Sequence, residues 1–411
     1  MDYSLLRIEL EKQFTQEIKE SLRVELIEKL LEKAKIDRED SLNKIFKGIY
    51  FKVTENFCKN IWEACQEAQK RTGYEGTIDY FVVNSPEYNA FCIETDRVED
   101  PHIICLNSAL VKDFTHEELL FIIGHEIGHL WTGSRKLSDV IQFIFNENKE
   151  IPIYYHNRIM YWQRLSELSA DRFGLLACGE LEPAVSSFFK LTSGLDWREL
   201  GINIRTYIDN NNELLEHLKG EQGFDESTHP INPVRVKALQ LFSKSQLFQS
   251  AMKKDELIAD EKLEDKIRMI VEEHTALADG INLQRMMFMA TGGLIVSSCD
   301  EKVDADEVDR IISYISQYTL FPKKFLEEIL KDQKNIQKKF VDSIKKILAD
   351  SPLERESMLK YLLEIAISDN DINDKEFDLL VNIGINILGY SEKEAAQILA
   401  AGLYTQFIPR V

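Results

Sequence analysis

The chain has 411 residues, enough for two to three domains and a well-buried core. Hydrophobic residues at 44% and charged residues at 29% are those of an ordinary globular protein, which excludes global disorder and fibrous low-complexity classes. A formal net charge of −20 repels phosphate backbones and anionic lipid, so the expected partners exclude nucleic acid.

Residues 1 to about 72 read as helix. Apolar residues recur at helical steps in Ile18, Leu22, Leu26, Leu30, Leu31 and Ala34, and after Asp40-Ser41 in Leu42, Ile45, Phe46, Ile49 and Val53. These stripes are packing faces, and residues 1–75 are expected to lie against the next domain. The first residues, Met1 to Phe14, mix charged and apolar side chains and show no secretory signal. The uncharged stretch Met286 to Cys299 is shorter than the ~20 apolar residues that cross a bilayer, so no transmembrane segment is expected. Six cysteines are scattered without a C-x-x-C pair, a pattern of free thiols in a reducing, cytoplasmic setting.

The turn Arg71 to Gly76 changes the texture. Ile78–Val83, Asn89–Ile93 and His102–Leu106 read as three short strands with tight links, suggesting a small antiparallel sheet. Thr115 and Glu118 then form a capping-box pattern, so a helix begins near His116 and stops near Thr132-Gly133. A second helix runs roughly from Arg158 to Cys178 and ends at Gly179, and helix resumes from about Val234 after the segment Ser227 to Pro233. In the last third, Leu294–Asp300 followed by Val303–Glu307 resembles Leu363–Asp369 followed by Ile372–Glu376 at a constant offset. The match supports two related helical units, each a helix, an acidic turn and a capped helix, with Asp304 and Asn373 as the caps.

The chemistry concentrates in His125-Glu126-Ile127-Gly128-His129. On a helix, positions i and i+4 share a face, so both imidazoles can reach one Zn²⁺ while Glu126 sits beside the metal-bound water. A zinc hydrolase needs a third protein ligand; the candidates are His102, His116, His156, His229 and any acid on a facing helix. Glu167 is the strongest, because Glu167 and Asp171 lie at i and i+4 on the second helix, where Ala170 and Gly174 permit close approach. Asp171 can then accept a hydrogen bond from the other nitrogen of a ligand histidine.

Asn89-Ala90-Phe91, the His125–His129 helix, Glu167–Gly174 and Ser227–Pro230 with Arg235 beyond, taken in order, resemble the HtpX and CAAX-prenyl-protease family of zinc metallopeptidases over residues 76 to 245. These are gluzincins, whose third zinc ligand is a glutamate on a second helix. The resemblance implies one Zn²⁺ per chain held by His125, His129 and Glu167, with Glu126 as general base and Asp171 behind the ligands. Well-known members carry transmembrane helices that this chain lacks, so it resembles a soluble branch whose substrates are peptides or proteins. His229 is the candidate donor to the tetrahedral oxyanion. Asn89, Ala90 and Phe91 are expected on a strand at the cleft, where an extended peptide can add.

The repeats resemble the helical TerB-like domain of tellurite-resistance proteins, although the acidic turn lacks the glycine and terminal glutamate of an EF-hand loop. The expected fold is α+β, mainly α: a zincin-like metallopeptidase domain over 76–248 and an all-α module over 249–411. The function to test is a zinc endopeptidase. The competing reading is a silent or latent scaffold that recruits protein partners through its carboxy-terminal helices.

Overall fold

The computed structural model describes residues 2–33, 46, 48–95, 100–146, 151–218, 229–274, 280–299, 305–368 and 372–406. The chain divides into two compact units, one of Met1–Ile151 with Arg158–Thr275 and the other of Pro152–Asn157 with Ala276–Val411. It is mostly helical, with one small sheet.

In the first unit, α1 (Glu9–Ser21) buries Leu10, Phe14 and Ile18, the face its helical periodicity marks. Ile8 N–H donates to Ser169 Oγ at 3.0 Å, Trp162 Nε1 to Thr15 Oγ1 at 2.8 Å, and Arg172 Nη1 to the Leu6 carbonyl at 3.2 Å. After α2 (Val24–Lys33), the expected helical residues Ala34, Leu42 and Ile45 fall outside the described residues. The expectation of unbroken helix fails at Phe51–Lys52, which is strand β1. There Val53 N–H donates to the Tyr80 carbonyl at 2.8 Å, and pairing with a distant strand overrides the local helical spacing. Helix α3 (Lys59–Arg71) follows.

Strands β2 (Ile78–Val83), β3 (Ala90–Ile93) and β4 (His102–Asn107) complete a four-stranded sheet of order β1-β2-β4-β3. The sheet is mixed where an antiparallel one was expected: β3 is antiparallel to β4, but β2 runs parallel to it, with Ile78 opposite His102 and Val83 opposite Asn107. The most continuously apolar strand takes the centre, and Ile103 to Asn107 are all buried. With β3 on one side of β4, β2 is left to pair with the other. β3 is an edge strand.

The short α4 (Ser108–Asp113) leads to α5 (His116–Thr132), which begins as its sequence predicts. Glu118 N–H donates to Thr115 Oγ1 and Thr115 N–H donates to Glu118 Oε2, a complete capping box; Gly133 at φ +64° closes the other end. Then come α6 (Ser134–Ile144) and α7 (Ile153–Cys178), the latter starting ahead of the expected Arg158. Helices α8 (Leu181–Ser193), α9 (Ile204–His217), α10 (Asn232–Ser243), α11 (Gln246–Lys253) and α12 (Glu261–Glu273) finish the unit.

Helices α5 and α7 meet backbone to backbone. A Cβ added to Gly128 would lie 2.7 Å from Ala170 Cα, and one on Gly174 would lie 2.8 Å from the Phe121 carbonyl oxygen. Larger residues at either position would push the helices apart. Glu118 fixes the start of α5 a second way, since its buried carboxylate accepts from Ser186 Oγ, Lys190 Nζ at 3.0 Å and Arg198 Nη2 at 3.1 Å.

Among the described residues the second unit is all helical: α13 (Gly280–Ser297), α14 (Ala305–Ile315), α15 (Pro322–Lys331), α16 (Ile336–Asp350), α17 (Arg355–Ala366), α18 (Asp374–Asn382) and α19 (Glu392–Gln406). Phe288, Phe340, Leu359, Leu362 and Leu380 belong to one apolar core. Asn373 and Glu376 form a capping box at the start of α18, so Asn373 is the cap its sequence suggests. Asp304, Asp300 and Asp369 lie outside the described residues.

Candidate metal centre and active site

The close approach of α5 and α7 brings His125, His129 and Glu167 together. One ligand atom from each lies within 4.8 Å of the others, and all three residues are buried. His125 Nε2 stands 3.4 Å from Glu167 Oε2, and His129 Nε2 stands 3.3 Å from Glu167 Oε1. This is the only such ligand cluster among the described residues. Two of the other histidine candidates lead elsewhere: His102 Nδ1 accepts from Thr95 N–H at 3.0 Å, and His116 Nε2 lies 2.9 Å from Glu67 Oε2.

Both imidazoles are gripped at Nδ1, which turns Nε2 toward Glu167. His125 Nδ1 is 2.9 Å from Asp171 Oδ1, and His129 Nδ1 is 3.0 Å from Ser134 Oγ. Arg235 holds Asp171 with two bonds, Nε to Oδ2 at 2.9 Å and Nη2 to Oδ1 at 2.6 Å, while its guanidinium lies over the Phe188 ring at 4.4 Å. Burial pushes the Asp171 carboxyl up, but Arg235 and His125 outweigh that and hold it below the ordinary range. At His125 burial acts downward, yet Asp171 and Glu167 raise the imidazole to about 9.

A dication fits these residues. His129 Nε2 and Glu126 Oε2 are buried without a hydrogen-bond partner among the described residues, an arrangement that folded proteins rarely leave without a purpose. Arg135 Nη2 stands 4.0 Å from Glu126 Oε2, beyond hydrogen-bond reach. Two imidazoles and a carboxylate are a donor set suited to zinc.

His229, on the segment leading into α10, is largely exposed, and its Nδ1 lies 2.9 Å from Glu167 Oε2. It therefore joins the cluster at the rim. Ala90 and Phe91 lie on β3, the strand in contact with α5, and the Asn89 carbonyl accepts from Asn107 N–H at 3.0 Å. Ser134 and Arg135 escape sequence reasoning, because a single serine or arginine after a helix stop carries no pattern. Arg235 has no role readable from spacing; only the fold brings it to Asp171.

The two-helix site, with its paired histidines and facing glutamate, has the make-up of a metallopeptidase. Residues 59–242 match the model of Peptidase family M48, and residues 287–400 match that of the Tellurite resistance protein TerB. The chain carries an M48 peptidase domain followed by a TerB domain. It is 22% identical over 191 residues to the "Plastoglobule-localized metallopeptidase 48, chloroplastic" of Arabidopsis thaliana, a match covering 43% of this chain. The chain spans only 55% of that relative's length. No solved structure matches. No described helix is long and apolar enough to cross a membrane.

Proposed function

We propose that the chain is a zinc endopeptidase acting on peptides or proteins, with residues 76–248 as its catalytic domain, residues 1–75 packed on it and 249–411 as a helical module, although α11 and α12 at the start of that span fold in the first compact unit. The observation that supports this most is the convergence of His125 Nε2, His129 Nε2 and the Glu167 carboxylate on one buried point, with Glu126 alongside. His125, His129 and Glu167 would hold one Zn²⁺, which when bound supplies a Lewis acid for the scissile carbonyl and lowers the pKa of water.

The rest falls to the chain. Glu126 Oε2 takes the proton of the attacking water and returns it to the leaving amine, the work of a general base and then acid. Asp171 and Ser134 keep the two imidazoles in the orientation the site needs. His229 donates to the tetrahedral oxyanion, supported by its place beside Glu167. The open edge of β3 at Ala90 and Phe91, with Asn89 just ahead of the strand and not on it as expected, accepts the substrate as an added strand.

The carboxy-terminal module is proposed as the binding site for a protein partner. The six cysteines are all free, which supports the reducing, cytoplasmic setting. The deciding experiment compares wild type with Glu126→Gln for zinc content and peptide cleavage. The variant is expected to keep one zinc per chain and to lose about 10²- to 10⁴-fold in kcat. Unaltered turnover would remove Glu126 from the chemistry.

A further inference from the structure

Arg135 stands in the first turn of α6, just past the end of α5. Lys136 N–H donates to Glu94 Oε2 at 3.3 Å, which ties that turn to the residue leaving β3. The Lys136 side chain turns away, its Nζ 3.5 Å from Glu28 Oε1 on α2. Arg135 turns inward: its Nη2 is 4.0 Å from Glu126 Oε2, and Cys92 of β3 lies beside its guanidinium. The side chain thus occupies the gap between the edge strand and Glu126.

Arg135 Nε is buried without a hydrogen-bond partner among the described residues. Glu126 Oε2 and His129 Nε2 are open as well, but those atoms accept, and a cation or the attacking water answers them. An N–H needs an acceptor, and a dication at the cluster offers none. The Arg135 side chain is 39% exposed, so an oxygen can reach it from the cleft. That oxygen belongs on a neutral group, because Glu126 at 4.0 Å would repel a second carboxylate. An open donor facing an open acceptor matches a peptide group, which offers one C=O and one N–H.

We propose that Arg135 holds the substrate backbone, donating from Nε and Nη2 to a peptide carbonyl next to the scissile bond, and this rests on the peptidase reading above. Glu126 has to reach the leaving nitrogen, and Arg135 Nη2 is 4.0 Å from Glu126 Oε2. An extended peptide advances ~3.3 Å per residue, so the carbonyl lies within about one residue of the cut. The contact ignores side chains and adds a charged donor to the strand pairing along β3.

The test uses the full chain carrying Glu126→Gln and loaded with zinc, so that peptides bind without being cut. The probe is a fluorescent decapeptide of casein sequence, with one set in which each backbone carbonyl in turn is a thioamide, a poorer acceptor, and another carrying Glu at each position. Adding Arg135→Met is expected to weaken the parent peptide about tenfold to a hundredfold, with zinc content unchanged. One thioamide should weaken binding about tenfold when Arg135 is present and have no effect in the Arg135→Met chain. A residue that only shapes the fold cannot produce such coupling at a single position. Arg135→Lys keeps the charge without the planar fork and should fall between. No binding, equal binding with and without Arg135, or thioamide penalties that all survive Arg135→Met overturns the proposal. So does a gain from Glu that vanishes in Arg135→Met, which would assign the guanidinium to a substrate carboxylate. Cleavage is read separately with Glu126 intact: a chain that binds peptides through Arg135 and cuts none would count against the peptidase reading and leave Arg135 as a peptide-binding residue.

Discussion

Helices α5 and α7 bury Glu118, His125, Glu126, His129, Glu167 and Asp171, whereas α13, α16 and α17 meet through Phe288, Phe340, Leu359 and Leu362. Burying ionisable groups is costly unless each finds a partner, while apolar contact stabilises with no such condition. In the first region Glu118 and Asp171 are fully partnered, and Glu126 and His129 keep an unpartnered atom. The difference separates the acids that hold the frame from two side chains, Glu126 and His129, that keep an open atom at the His125, His129 and Glu167 cluster. In the second region the apolar core needs only shape and helix caps.

That contrast can be broken first at Glu118. Glu118→Gln removes the charge opposite buried Lys190, and the expected loss is about 3–5 kcal/mol of stability in urea unfolding at pH 7. Burial pushes the Glu118 carboxyl up, but Ser186, the Thr115 N–H and Lys190 outweigh it and hold it below its ordinary 4.5. A depressed folded value means the contribution is present at neutral pH and lost as pH falls through that value. The gap between wild type and Glu118→Gln should therefore narrow on acidification; a gap that widens would show that the charge does not stabilise the fold.

In the apolar region the matching change is Leu359→Ala, a fully buried side chain expected to cost about 2–5 kcal/mol. Its effect should carry no pH dependence between pH 7 and pH 4, which the same unfolding series checks. A smaller effect is expected at Ser134→Ala, where loss of the bond to His129 Nδ1 should weaken zinc binding about tenfold in chelator competition. Equal affinity would show that the hydroxyl does not orient the ring. Smallest is Asn373→Ala, about 1 kcal/mol in thermal unfolding from the lost cap of α18. A larger loss there would mean that Asn373 does more than cap.

Local patterns were readable and long-range pairings were not. Thr115 with Glu118 and Asn373 with Glu376 are short motifs whose residues bond to each other, so the sequence carries them complete. The same holds for His125 and His129, one helical turn apart. Strand order is different: nothing within Ile78–Val83 says that its partner is β4, so the parallel pairing emerges only when β4 is placed at the centre. Glu118 illustrates both cases, since its cap is local while Lys190 and Arg198 reach it from distant sequence. Glu167 was legible because Asp171 stands one turn away; Ser134, Arg135 and Arg235 lacked such a companion.

The stop at Gly133 has an electrostatic consequence. Because α5 ends at Thr132, His129 sits in the last helical turn, where the carbonyls at the end of the helix point their negative ends outward. A cation held by His129 therefore gains from the backbone as well as from its ligands, by about 0.3–1 kcal/mol. The opposite end carries Glu117 and Glu118 in its first turn, so both ends of the helix are matched in charge. Extending α5 by replacing Gly133 with a good helix former would move those carbonyls away from His129 and weaken the hold on a cation there without touching any of the three clustered side chains.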